Sequence, residues 1–119
     1  MNDNQIETIN TQLAFSAALI FASSLNLYIT FMYKDILINK NSSKYNEALI
    51  YKLALLSANI FLIVTIYFLI TSYEDFESNK SIPSYNYYMA SILSFTAQSI
   101  RINTLIKYPE TILGIQDII

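Results

Sequence analysis

The chain has no cysteine and no histidine, a single glycine, and only two prolines in 119 residues. Without cysteine there is no disulfide, and without cysteine and histidine the common zinc sites are excluded. One glycine, Gly114, cannot build a phosphate-cradling loop, and no side chain is available as an imidazole base or a thiol. Charge is scarce too. Charged residues make up 13% of the chain, against a usual share of about 25%. Net charge is −2 and no run is basic, so the clustered lysines and arginines that phosphate backbones require are missing and nucleic acid is not an expected partner. No pattern calls for a cofactor or metal, no small-molecule ligand is identified, and no catalytic motif is present.

What the chain has instead is apolar length. Residues 53–73, LALLSANIFLIVTIYFLITSY, carry no charge, no glycine and no proline, and are bounded by Lys52 and Glu74-Asp75. At ~1.5 Å per residue this run makes a helix of about 31 Å, the thickness of a bilayer's hydrocarbon core. Residues 13–33, LAFSAALIFASSLNLYITFMY, form a second uncharged run, softened by Ser16, Ser23, Ser24, Asn26 and Thr30. Residues 85–106 form a third and more polar one. A soluble bundle would scatter charge along each helix to coat its outer face. Here the charges fall mostly between the runs.

These observations predict an all-α membrane protein, a single integral membrane domain over residues 1–119. Three transmembrane helices are expected at about 12–39, 44–73 and 84–107, after a short polar tail. The N-terminal stretch MNDNQIETINTQ is acidic and lacks the basic region of a signal peptide, so the first run reads as a retained span. The connector 34–52 carries Lys34, Lys40, Lys44 and Lys52, with its turn signal at residues 39–43. The connector 74–84, EDFESNKSIPS, is acidic and ends at Pro83 and Ser84. Basic residues are retained on the cytoplasmic side. An outside N-terminus and a cytoplasmic C-terminus place six of the seven basic residues inside, and the reverse threading places one there. Tyr73, Tyr85, Tyr87 and Tyr88 then mark the outer interface, and Tyr33, Tyr51 and Tyr108 the inner one, as aromatic belts do. After Pro109, residues 110–119 read as a short interfacial helix or a tail. Abundant Ile, Asn, Lys and Tyr suggest an AT-rich genome, hence the cytoplasmic membrane of a low-GC bacterium.

Polar residues inside the runs share a depth. Asn26 lies eight residues before Lys34, Asn59 seven after Lys52, and Arg101 six before Lys107, with Gln98 one turn above it. That is about 9–12 Å from the inner end, Gln98 slightly deeper. Two readings fit. Asn26, Asn59, Gln98 and Arg101 form an intramembrane polar layer, or Arg101 snorkels to the inner headgroups while each amide packs one helix pair. Polar and small residues also recur at 3-4 spacing, as Ser84, Tyr87, Ser91, Ser94, Gln98 and Arg101 in the third run. Ladders Ala14-Ala18-Ala22, Ala54-Ala58 and Ala90-Ser94 would permit close helix approach. The central run, apolar all round except at Asn59, is expected to tolerate lipid best.

With no soluble catalytic domain, the chain is not expected to be an enzyme. The leading expectation is a structural, accessory or immunity-type interaction protein, partnered by the bilayer and by another membrane protein or further copies of itself. Size, three spans and this threading resemble phage holins of the three-span class, which implies pore formation as an alternative. That resemblance covers topology, and the strongly basic tail of such holins has no counterpart in residues 109–119. A small transporter subunit is a further alternative, though no carboxylate lies inside a run as proton-coupled carriers require.

Overall fold

The structure is a computed structural model, and it describes residues 3–39 and 46–109. Three helices account for it: α1 (Asp3–Ile38), α2 (Glu47–Ser78) and α3 (Ile82–Lys107), with no strand among the described residues. They lie roughly side by side in a body of 58 × 27 × 20 Å. The long dimension matches α1, whose 36 residues span about 54 Å. The extensive interfaces are α1 with α2 and α2 with α3, so α2 is the middle helix.

The helix ends have local causes. Asn46 caps α2, its Oδ1 accepting the Leu49 N–H at 2.7 Å. Ser81 caps α3 reciprocally: its hydroxyl accepts the Ser84 N–H at 3.3 Å, and the Ser84 hydroxyl accepts the Ser81 N–H at 3.0 Å. Pro83 sits in the first turn, where its missing N–H leaves nothing unpaired. Ser84 Oγ also donates to Asn79 O at 2.7 Å, closing the short turn between α2 and α3.

Two boundaries differ from expectation by more than three residues. α1 begins at Asp3 rather than near residue 12, so the polar N-terminal stretch is helical. Residues 3–12 hold no glycine or proline to break a helix, and the Thr8 and Thr11 hydroxyls donate back to Asn4 O and Glu7 O. Similarly, α2 continues to Ser78, taking up half of the expected acidic connector. Polarity fixes the medium a segment prefers and leaves its backbone free to stay helical. Of the turn signal at residues 39–43, all but Asn39 lie outside the described residues, as does the tail at 110–119.

The buried side of α2 comprises Ile50, Ala54, Ser57, Ala58, Val64 and Ser72. A cluster of Ile29, Met32, Tyr33, Ile50 and Ala54, flanked by Ile36 and Leu53, fills the α1–α2 interface at the end near the first connector. The opposite end is aromatic. Tyr73 meets Tyr88 at 5.6 Å between centroids, and Phe76 meets Tyr85 and Tyr88 at 5.9 Å each. The tyrosines expected at the two interfaces thus gather toward opposite ends of the molecule. The central helix, expected to be the most lipid-tolerant, is the one packed on two sides. Hydropathy could not select its docking side because it is apolar all round; the small residues Ala54, Ser57 and Ala58 select it by letting neighbours approach.

Candidate functional site

The most specific polar contact between helices is at Ser57. This side chain is fully buried, as is Ala22 opposite. Ser57 Oγ lies 2.8 Å from Asn26 Oδ1 and 3.2 Å from Ala22 O, donating toward both. The contact exists because Ala22 and Ser57 are small enough for a short hydroxyl to reach the facing backbone. Farther along the same interface, Phe15 and Tyr67 stack with centroids 4.0 Å apart and planes 2° from parallel. Between α2 and α3, Tyr51 Oη donates to Leu105 O at 3.2 Å.

The four residues expected to form a polar layer are distributed around α2. Asn26 is half-buried and pairs with Ser57. Arg101 is exposed, its guanidinium 5.7 Å from the Phe61 ring centroid, within cation–π range. Gln98 is half-buried, and its Oε1 is buried without a hydrogen-bond partner. Asn59 is exposed on the side of α2 turned away from the other helices. No hydrogen bond among the described residues joins any two of the four. Asn26 meets Ser57 and Arg101 meets Phe61, positions four residues or about 6 Å apart along α2.

Sequence reasoning missed Ser57 and Phe61. Ser57 resembles the other serines of the runs by composition, and its one distinguishing signal is its place between Ala54 and Ala58, on a face otherwise narrowed to methyl groups. The alanine ladders divide. Ala22, Ala54 and Ala58 are buried at interfaces, whereas Ala90 and Ser94 are exposed. Glu74, Asp75 and Glu77 are exposed near the end of α2, and no group of three or more acidic residues among the described ones converges to hold a metal ion.

By length and composition α1 and α2 can each cross a membrane; α3 does not meet that measure alone. Comparison with known proteins finds no matching family model, no matching curated protein and no matching solved structure.

Proposed function

We propose that this chain is a small integral membrane protein acting as a structural, accessory or immunity-type interaction protein through helix–helix docking in the bilayer. The observation that carries the reading is where the apolar surface lies. Only 11% of the most apolar stretch of α1 and 22% of that of α2 is buried inside the molecule. The core helix of a soluble protein would be mostly covered. Here Leu27 is 74% exposed, Ile20 70% and Phe31 61%, in the middle of a long helix. Lipid accommodates such a surface; water does not. A signal sequence would explain one such helix near the N-terminus, and α2 is a second one in mid-chain.

The threading that goes with this reading has three spans, an outside N-terminus and a cytoplasmic C-terminus. In it α3 inserts with the help of α2 and not by its own hydropathy. The docking faces are those around Ser57 and Phe61, and no residue is assigned catalysis. Single-cysteine labelling in intact cells tests it, since the chain has no native cysteine. Ser43→Cys should react with an impermeant maleimide only after the inner face is opened, and Ser78→Cys should react from outside. Both positions labelling from one side would overturn the three-span threading. Normal growth on induced expression fits the accessory role, and abrupt loss of membrane potential would replace it with the pore-forming one.

A further inference from the structure

The outward face of α2 carries Leu56, Asn59, Ile63, Ile66 and Ile70, at steps of 3-4-3-4. The four apolar members are 38–57% exposed, and Asn59 is exposed among them. This is the spacing of a left-handed helix-pairing seam. From this seam we infer that α2 pairs with α2 of a second copy in parallel, with the two Asn59 amides hydrogen-bonded to each other across the twofold axis. The inference rests on the membrane reading above and names the partner it left open.

Lipid could cover the leucines and isoleucines equally well, so the apolar positions alone do not identify an occupant. Asn59 does. Hydroxyls in these helices close on their own backbone: Ser24 on Ile20 O, Thr30 on Asn26 O, Thr65 on Leu62 O and Thr71 on Phe68 O. Asn59 makes no such bond. Its amide brings two donors and an acceptor to a position seven residues inside Lys52, about 10 Å along the helix. A partner must therefore present both an acceptor and a donor at that depth. A second copy does so without further design. Two copies threaded the same way hold α2 parallel, a twofold axis along the membrane normal brings residues of equal depth together, and an amide is complementary to itself. A lone asparagine in an apolar seam also fixes register, because any slip leaves both amides unpaired in hydrocarbon.

The test uses the full chain expressed in its membrane, with single cysteines on and off the seam. Oxidative crosslinking should give dimers from Ile63→Cys and Ile66→Cys, and not from Phe61→Cys, at the contact with Arg101 of α3, or Val64→Cys, at a position 1% exposed. Adding Asn59→Leu to Ile66→Cys should reduce the crosslinked fraction about threefold or more, while Asn59→Gln, which keeps the amide, should largely retain it. Absence of crosslinks at the seam, equal crosslinking at all four positions, or adducts with another protein only would overturn the pairing. Alkaline extraction of the same samples separates the two levels of inference. A chain retained in the extracted membrane without seam crosslinks removes the pairing and leaves the membrane reading. A chain released into solution removes the membrane reading, and its crosslinks and their dependence on Asn59 still decide the pairing.

Discussion

Ser57 has one hydroxyl proton and two acceptors within reach, Asn26 Oδ1 and Ala22 O. Replacing it with alanine removes both contacts and leaves the Asn26 carbonyl oxygen without its donor. Asn26→Ala removes one acceptor, and the hydroxyl can still turn to Ala22 O. The two substitutions should thus be unequal, with Ser57→Ala the costlier at about 0.6–2 kcal/mol, the range for interhelical hydrogen bonds in membranes. They should also couple by roughly 0.5 kcal/mol or more in a double-mutant cycle measured by reversible unfolding in mixed micelles. Equal, additive losses would mean that the contact contributes only packing. At this scale the sequence was half legible. Asn26 stood out because an amide inside an apolar run needs a partner. Ser57 did not, because a serine can satisfy itself on its own helix, as Ser24 does.

The elements were more legible than their ends. Three largely apolar runs and two charged connectors predict three helices in order, and three helices are present among the described residues. Composition misjudged the start of α1 and the end of α2, since a polar segment free of glycine and proline can continue a helix past the apolar part. The start of α3 is set by chemistry instead. Ser81 and Ser84 cap each other, and Pro83 forbids an earlier hydrogen-bonded turn. Ser81→Ala should therefore cost about 0.5–2 kcal/mol, and Ser81→Gly only a few tenths, in the same unfolding assay. If alanine and glycine behave alike, the turn is held by the Ser84–Asn79 contact rather than by the cap.

For the molecule as a whole, the limit of sequence reading was arrangement. Hydropathy ranks α2 as the best span, and that rank says nothing about its middle position between α1 and α3. The third helix shows the same limit from the other side. It carries Ser91, Ser94, Gln98 and Arg101, and an arginine six residues from the helix end still costs something to insert, though less than the about 2.5–3.5 kcal/mol of a helix centre. Its contacts with α2 through Tyr51, Phe61 and the aromatic cluster are what would offset that cost. In a glycosylation-mapping assay, residues 82–107 should insert efficiently when they follow α2. Placed after an unrelated span of equal hydrophobicity, they should insert poorly. Equal insertion in both contexts would make α3 an independent span.

The short turn between α2 and α3 also bears on the order of events at the ribosome. Only Asn79, Lys80 and Ser81 separate the two helices. Once Ser78 has emerged from the ribosome, α1 and α2 are complete and the Ser57 contact can close. α3 then arrives last, tethered so closely that its search for the waiting face of α2 is confined to a few ångströms. Both extensive interfaces join helices adjacent in the chain, so neither has to wait for a distant segment. Assembly can keep pace with synthesis and leaves the most polar helix unaccompanied for the least time.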